Sequence, residues 1–243
     1  MIRVFDTAEQ MTRAAADLFV ARARQAIDAR GVFSVAISGG STPEPLYRLL
    51  ATPELRDQVA WEKVHVFWGD ERVVPPDDPA SNARLAREAW LNHVPIPSQN
   101  VHPIPTGFNP MVAANQYEKT LEGFFGRGAS RLDLVLLGLG TDGHTASLLP
   151  HTPALEEEAR WVADVFSFGQ DYHRITMTAV LINQAALVVF LVEGATKASV
   201  LQAVLEGPNN YTSLPAQLIH PVDGELYWYV DSAAAGQLSE TEK

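Results

Sequence analysis

The sequence predicts an α/β protein, with a mostly parallel, Rossmann-like sheet that carries helices on both faces in three α/β/α layers. Short apolar runs alternate with segments of helical period along the 243 residues. The central runs are almost wholly apolar, which is typical of parallel strands covered on both faces. Polar clusters follow three of the runs, at 38–44, 69–72 and 138–147. Ligands of open α/β sheets bind at this place, the carboxyl ends of the strands.

The first half of the chain contains two predicted strands among three predicted helices. Asp6 or Thr7 is placed to cap an alanine-rich segment of helical period, and Gly31 fits its end. Pro43 stands in the first turn of the next helix, where proline is well tolerated. In order, the predicted elements are a helix over 7–29, a strand over 33–37, a helix over 43–50, a strand over 64–68 and a helix over 81–92.

The second half begins after an irregular segment. Five prolines within 94–110 argue against regular structure there. The predicted elements that follow are a helix over 110–125, strands over 132–137, 174–178 and 186–192, a helix over 195–205 and a strand over 226–230. The polar tail from Ser239 is expected to fray. No repeat, low-complexity block or linker interrupts the sequence, so residues 1–243 are predicted to form a single domain.

The composition excludes several classes of partner. A formal charge of −11 argues against nucleic acid or an anionic membrane, although a local cluster of Arg and Lys can still bind a small anion. The chain contains no cysteine, which excludes disulfides, thiolate chemistry and Cys-ligated metal. Residues 1–19 lack the apolar core of a signal peptide, and no run of 18 apolar residues occurs. A soluble, cytoplasmic protein, monomeric or a small homo-oligomer, is therefore expected.

The first polar cluster, SGGSTP at 38–43, joins a predicted strand to a predicted helix. Gly39 and Gly40 allow the backbone to turn its N–H groups inward, and the hydroxyls of Ser41 and Thr42 add donors. The segment therefore predicts a cradle for phosphate or carboxylate, without the GK[ST] ending of a Walker loop. A tight turn in which Ser or Thr caps the helix is an equally good interpretation of this segment alone.

The second cluster places Asp70, Glu71 and Arg72 directly after an apolar strand. A solvated loop with a local ion pair is the ordinary interpretation of such a segment. The position at a strand end favours a functional interpretation, in which Arg72 neutralises charge on a substrate oxygen.

The third cluster is a glycine-rich turn that contains a carboxylate, Asp142, and an imidazole, His144. Small neighbours leave room for a substrate beside His144, and histidine suits a general base near neutral pH. A glycine-rich turn with an ordinary surface histidine is the alternative. The glycines also match G-x-G-x-x-G, the motif of dinucleotide-binding sites. That motif lies at the start of a long helix, whereas Pro150 limits a helix here to about two turns, so a dinucleotide site is disfavoured.

Two further cations are weaker candidates. Arg174 begins a strand, and Lys197 lies in the first turn of a helix, where a cation is unfavourable for the helix dipole. That placement is compatible with binding an anion, although two surface charges explain the spacing as well. The sequence contains no H-E-x-x-H, no calcium loop and no G-x-S-x-G, so neither a metal site nor a serine nucleophile of the hydrolase type is predicted.

Taken together, these motifs resemble the 6-phosphogluconolactonase family, in the larger group that includes glucosamine-6-phosphate deaminases. Six segments carry the resemblance, in order, over nearly the whole chain. They are SGGSTP (38–43), WGDERVVPPDDPASN (68–82), GLGTDGHTASLLP (138–150), RITMTAVLIN (174–183), GATKASVL (194–201) and DGELYWYVDSAAA (223–235).

The resemblance implies hydrolysis of a sugar phosphate lactone, 6-phospho-D-glucono-1,5-lactone, to 6-phosphogluconate in the oxidative pentose phosphate pathway, with no cofactor and no catalytic metal. It implies that His144 is the general base that activates water and that Asp142 orients or polarises the site. Arg72 is implied to sit near the lactone or its developing oxyanion. The residues implied to bind the substrate are Gly39, Gly40, Ser41, Thr42, Asp70, Gly140, Arg174 and Lys197.

Two positions separate the branches of this group. The deaminases carry a glutamate five residues after the histidine, where this chain has Leu149, and tend to have a tyrosine where this chain has Arg72. Both differences favour the lactonase, and the deaminase is the nearest alternative. A non-catalytic sugar-phosphate sensor on the same fold is a further alternative. Asp142, His144 and Arg72 argue against it, because a sensor needs only the phosphate clamp.

Overall fold

The computed structural model describes residues 1–126, 131–166 and 172–239. The strands are Ile2–Phe5 (β1), Phe33–Ile37 (β2), Val64–Trp68 (β3), Asp70–Arg72 (β4), Val101–His102 (β5), Leu134–Gly138 (β6), Val162–Val165 (β7), Arg174–Met177 (β8), Leu187–Val192 (β9) and Glu225–Asp231 (β10). The helices are Ala8–Arg30 (α1), Glu44–Leu50 (α2), Pro53–Arg56 (α3), Asn82–Ala89 (α4), Pro110–Phe125 (α5), Ala179–Ile182 (α6) and Ala198–Glu206 (α7). The fraying predicted from Ser239 concerns mainly residues 240–243, which lie outside the described residues. Within the described ranges, no helix has both the length and the apolar composition needed to cross a membrane.

A parallel sheet of seven strands, in the order β1-β10-β9-β6-β2-β3-β5, forms the centre of the protein and is flanked by helices. This arrangement confirms the predicted α/β class and its three-layer, Rossmann-like form. Every residue of β2 and of β9 is buried. Burial on both faces explains why these strands are almost wholly apolar instead of alternating, with Ser34 the one polar residue in the two strands.

The long helix α1 begins and ends where the local sequence predicts. Thr7 Oγ1 accepts a hydrogen bond from the N–H of Gln10 at 3.2 Å, which is the geometry of an N-cap. Gly31 adopts a left-handed conformation, with φ of 77°, and donates its N–H to the carbonyl of Ile27. Glycine takes this C-terminal conformation without the steric cost of a Cβ atom.

A second, smaller sheet pairs three antiparallel strands in the order β4-β8-β7. The strand predicted over 174–178 is present as β8, but it belongs to this sheet and not to the parallel one. Strands β4 and β7 were not predicted. Three charged residues make up β4, and β7 contains Ala163 and Asp164, which have low β-propensity.

Two predicted helices differ from the structure by three residues at one end. The helix predicted over 81–92 ends at Ala89, because the next residue leaves the helical region with φ of −144°. The helix predicted over 195–205 begins at Ala198, after a 3-10 turn over Ala195–Lys197. The edge strands β1 and β5 were also not predicted, since β1 is only partly buried and β5 is two residues long among prolines.

The strand order reverses at β2. From β2 the chain continues to β3 on one side, whereas β6 pairs with β2 on the other side. The loops after β2 and β6 therefore diverge and open a crevice at the carboxyl ends of the strands, where α/β proteins bind ligands. The three polar clusters at 38–44, 69–72 and 138–147 follow β2, β3 and β6 and meet at this crevice.

Candidate active site

A pocket of about 250 Å³ opens in the crevice. It is lined by Ser38, Gly39, Gly40, Ser41, Thr42, Pro43, Asp70, Arg72, Asn82, Gly138, Leu139, Gly140, His144, Ala146, Arg174 and Lys197. Every residue predicted to bind the substrate is among them, together with His144 and Arg72. Asp142 is not a lining residue and reaches the pocket through its contact with His144. A second cavity, of about 290 Å³ beside Trp228, contains none of the predicted site residues.

The turn after β6 is shaped by two glycines. Gly143 has φ of 80°, and a Cβ at this position would lie 2.7 Å from Leu214 Cδ2, so both its conformation and its surroundings require glycine. At Gly140, a Cβ would lie 2.1 Å from His144 Nδ1 and 2.6 Å from Asp142 Oδ1. The imidazole and the carboxylate therefore occupy the space that the missing side chain leaves free.

Within this turn, Asp142 and His144 form a hydrogen-bonded pair. Nδ1 of His144 lies 2.5 Å from Asp142 Oδ1. The hydrogen bond from His144 is the main cause that lowers the pKa of Asp142 to about 2, while partial burial opposes it. An ionised carboxylate accepts a hydrogen bond from the Nδ1–H group, which leaves Nε2 as the basic nitrogen of the neutral ring. The pair can therefore accept a proton from a water molecule in the pocket.

Three cationic side chains share the pocket. Arg72 of β4 and Arg174 of β8 are Cα partners across the antiparallel pair. Burial lowers the pKa of Arg174, and the neighbouring charge of Arg72 lowers it further. Burial also lowers the pKa of Lys197, which Asp142 partly offsets. Lys197 lies in the 3-10 turn immediately before α7 and not in the first turn of that helix as predicted. Cations that are desolvated together in this way are stabilised strongly when an anion binds between them.

The loop after β2 lies open to the pocket. Gly40 has φ of 100°, which favours glycine. At Gly39, a Cβ would lie 1.8 Å from Asn82 Oδ1, so that the side chain of Asn82 fills the space. The residue before helix α2 is Pro43, and no side chain caps this helix, so the interpretation of a Ser- or Thr-capped turn is wrong. Ser41 and Thr42 both line the pocket.

The charged segment after β3 is buried, so the interpretation of a solvated loop is also wrong. Asp70 is 5% exposed and Glu71 is 1% exposed. The Glu71 carboxylate accepts hydrogen bonds from the backbone N–H groups of Asn82 and Ala83, at 2.8 and 2.7 Å, at the start of α4. Burial raises the pKa of Glu71, and these hydrogen bonds oppose the rise. Glu71 thereby fixes α4, and with it Asn82, against β4.

Two polar residues of the site were missed by the sequence analysis. Asn82 Nδ2 donates to the backbone carbonyl of Asp70 at 2.9 Å, and Ser147 Oγ donates to Asp70 Oδ2 at 2.6 Å. Neither residue belongs to a motif whose chemistry is evident from spacing. Their role depends on contacts over 12 and 77 positions of the chain, which only the fold reveals. Among the described residues, no group of three or more His, Asp or Glu side chains is placed to hold a metal ion.

The fold and the pocket define a class of protein. It is an α/β protein of Rossmann-like form, with a cationic pocket and a carboxylate–imidazole pair at the carboxyl edge of its sheet. Comparison with known sequences makes the assignment specific: the chain belongs to the family described as glucosamine-6-phosphate isomerases/6-phosphogluconolactonase, whose model matches residues 6–228.

Relatives in this family are similar over nearly their whole length. A 6-phosphogluconolactonase of Nostoc is 45% identical over 227 residues, which cover 92% of each chain. One from Synechocystis is 48% identical over 221 residues, 89% of each chain. The structure of a 6-phosphogluconolactonase from Trypanosoma brucei is 29% identical, with a TM-score of 0.86 over 98% of each chain. A monomeric glucosamine-6-phosphate deaminase is similar in fold alone, at 19% identity and a TM-score of 0.82, over 97% of this chain and 99% of that one.

Proposed function

We propose that this chain hydrolyses 6-phospho-D-glucono-1,5-lactone to 6-phospho-D-gluconate, the second step of the oxidative pentose phosphate pathway. The observation that carries the proposal is the hydrogen-bonded pair of Asp142 and His144 at one pocket with Arg72, Arg174 and Lys197. A general base beside a cluster of cations suits a substrate that has a reactive carbonyl at one end and a phosphate at the other. The names of the most similar relatives agree with this substrate.

In the proposed mechanism, His144 acts as the general base. Its Nε2 takes a proton from water while the water oxygen forms a bond to the lactone carbonyl carbon. Asp142 accepts the Nδ1 hydrogen bond and stabilises the imidazolium that results. The ring C–O bond then breaks, and the leaving oxygen receives the proton from the imidazolium. A lactone is an activated ester, so no covalent nucleophile is required.

Substrate binding is assigned to the other lining residues. The phosphate is held by the loop of Gly39, Gly40, Ser41 and Thr42 together with Arg174 and Lys197, because a dianion gains most from charge-assisted hydrogen bonds. Arg72 stabilises the oxyanion that develops on the carbonyl oxygen. Asp70 accepts a hydrogen bond from a sugar hydroxyl, and Gly140 leaves room for the ring. Binding the remote phosphate orients the carbonyl beside the base, which contributes several kcal/mol.

The chain lacks a group that the deaminase reaction is expected to use. The glutamate that the resemblance places five residues after the histidine in deaminases is replaced here by Leu149, which is 3% exposed and packs in the core. An apolar buried side chain cannot act as an acid or a base in sugar ring opening. In the proposed lactonase reaction, the pair of Asp142 and His144 carries out the proton transfers without a further carboxylate.

A coupled assay tests the proposal. Glucose 6-phosphate dehydrogenase produces the lactone, and the rate of lactone loss is measured with and without the protein. Acceleration above the spontaneous rate is the expected result. Ammonia release from glucosamine 6-phosphate would instead indicate a deaminase, and binding of 6-phosphogluconate without turnover of either substrate would indicate a sensor.

A further inference from the structure

The carboxylate of Asp70 is held from two sides. It projects from β4 into the pocket and is 5% exposed. Ser147 Oγ donates to Oδ2 at 2.6 Å, and Asn82 Nδ2 approaches Oδ1 at 3.3 Å. Both oxygens are therefore engaged before a substrate arrives, and the orientation of the carboxylate is determined by its neighbours.

Ser147 is rigid enough to impose that orientation. It is completely buried, and its backbone N–H donates to Thr176 Oγ1 at 3.1 Å. Thr176 is the Cα partner of Asp70 across β4 and β8. The preceding residue, Ala146, has φ of 47°, a left-handed conformation that is rare outside glycine. Ser147 thus ties the turn that carries His144 to both strands that carry the arginines.

Arg72 is an alternative partner for the carboxylate of Asp70. Asp70 and Arg72 are two residues apart in one strand, so they lie on the same face and both line the pocket. A carboxylate next to a guanidinium forms a charge-assisted, often bidentate pair when its orientation permits. Arg72 Nη1 instead donates to the carbonyl of Ala80 at 2.7 Å. The Asp70 carboxylate, for its part, accepts the hydrogen bond from Ser147.

We infer that Ser147 is a positioning residue, whose hydroxyl holds Asp70 as an acceptor for the substrate and keeps Arg72 available for the anionic oxygen of the reaction. This inference rests on the proposed function for the identity of the substrate. Without the hydroxyl, Asp70 rotates towards Arg72 and neutralises it. The effect of Ser147 therefore passes entirely through the charge of Asp70.

A double-mutant cycle tests this inference. The constants kcat and KM for the lactone are measured for the wild type, Ser147→Ala, Asp70→Asn and the double variant. Loss of a hydrogen bond to a charged group is expected to lower kcat/KM by about tenfold or more in Ser147→Ala. An amide at position 70 cannot form the ion pair with Arg72, so Ser147→Ala should change kcat/KM by less than about twofold in the Asp70→Asn background.

Thr152→Val is the matched control. This substitution also removes a buried hydroxyl, which donates to the carbonyl of Leu149 at 2.8 Å. Thr152 does not line the pocket. The thermal unfolding midpoint is measured for all variants. The inference is overturned if Ser147→Ala and Thr152→Val have the same kcat/KM. It is also overturned if Ser147→Ala lowers kcat/KM in the Asp70→Asn background as much as it does in the wild type. If Ser147→Ala does not fold, Ser147→Cys, which keeps a weaker donor, takes its place with a smaller expected loss.

The cycle separates this inference from the proposed function. If the wild type does not accelerate lactone loss, the proposed function fails, and the same four proteins are titrated with 6-phosphogluconate in a calorimeter. Non-additive losses of affinity would still support the role of Ser147, and additive losses would refute it. If the wild type hydrolyses the lactone and Ser147→Ala does so equally well, only the role of Ser147 fails.

Discussion

Arg72 and Arg174 lie directly opposite each other across the antiparallel strands β4 and β8. Like charges in directly opposed positions destabilise a sheet, and here both side chains also line a half-enclosed pocket. Burial is the main cause that lowers the pKa of Arg174, and the repulsion from Arg72 lowers it further. Such a pair is unfavourable for folding alone and favourable for binding an anion, which is the reason to expect an anionic substrate here.

Replacing Arg174 with glutamine should weaken substrate binding more than catalysis. Arg174→Gln removes a charge from the proposed phosphate site, so KM for the lactone is expected to rise about tenfold or more while kcat changes little. Inorganic phosphate should raise the unfolding temperature of the wild type and raise that of the variant less. Arg24→Gln, on the exposed face of α1, is the control for the change of net charge. An unchanged KM in Arg174→Gln would contradict the assignment.

Removing the imidazole of the proposed base should impair catalysis more than binding, the opposite of the effect expected for Arg174→Gln. His144→Ala is expected to lower kcat by about 100-fold to 10,000-fold and to leave the affinity for 6-phosphogluconate nearly unchanged. Asp142→Asn should lower kcat as well, because the amide cannot stabilise the imidazolium. The kinetic constants are measured with freshly made lactone, and affinity by calorimetry. Near-normal turnover by His144→Ala would refute the assignment of the base.

His151→Asn is the matched control for these variants. His151 is exposed, lies on the same loop, and adopts φ of 59°, a conformation that asparagine tolerates better than most residues. Its kinetic constants are expected to equal those of the wild type.

The sequence was informative about the parallel sheet and about the loops at its edge. The largely apolar runs predicted as strands over 33–37, 64–68 and 186–192 correspond to β2, β3 and β9. Their short, nearly continuous apolar sequences are typical of parallel strands that are buried on both faces. The glycine-rich turns follow two of the parallel strands, and general rules of α/β folds place ligands there. The residue types in the polar clusters indicated Arg72, Asp142 and His144 as candidates, and the resemblance to a family added weight to Arg174 and Lys197.

The remaining features depend on contacts between distant parts of the chain. Strand β4 exists because β8, about a hundred residues later, provides its hydrogen bonds, and this pairing alone brings Arg72 beside Arg174. Ser147 and Asn82 are linked to the site through their hydrogen bonds to Asp70, over 77 and 12 positions of the chain. Such contacts follow from tertiary register, which no local pattern of residue types encodes.

Adding a single methyl group at Gly140 should abolish the function of the pair without unfolding the protein. A Cβ there would lie 2.1 Å from His144 Nδ1 and 2.6 Å from Asp142 Oδ1, so Gly140→Ala must displace the imidazole or the carboxylate. The backbone at this position does not have positive φ, so alanine causes no conformational strain. We expect kcat to fall nearly as far as in His144→Ala, with little change in the unfolding temperature.

Gly123→Ala separates this steric effect from a general effect of the substitution. Gly123 lies in α5, and a Cβ there meets nothing within 4 Å. Alanine should stabilise this helix by about 0.5–1 kcal/mol and leave activity unchanged. Wild-type kcat in Gly140→Ala would show that the turn accommodates the methyl group without moving the pair.

Two stacked histidines at the edge of the parallel sheet should make stability depend on pH. His65 and His102, on β3 and β5, have ring centroids 5.3 Å apart and ring nitrogens 3.0 Å apart. Burial, and secondarily the neighbouring His65, lowers the pKa of His102 to about 4. Between this value and the ordinary histidine pKa of about 6.5, the unfolded chain binds more protons than the folded one. The free energy of unfolding is therefore expected to fall as the pH decreases from 7 towards 4.

Replacing His102 with phenylalanine should reduce this dependence. Phe keeps the ring that stacks on Phe67, with centroids 4.5 Å apart, and has no group to titrate. Because the site is only half-buried, the contribution of His102 amounts to about 1 kcal/mol after allowance for solvent screening. Urea unfolding of the wild type at pH 7 and pH 5 should show a loss of this size, and His102→Phe should show a smaller one. His220→Gln, at an exposed position, should retain the full loss. An equal loss in His102→Phe and the wild type would mean that other groups determine the pH dependence.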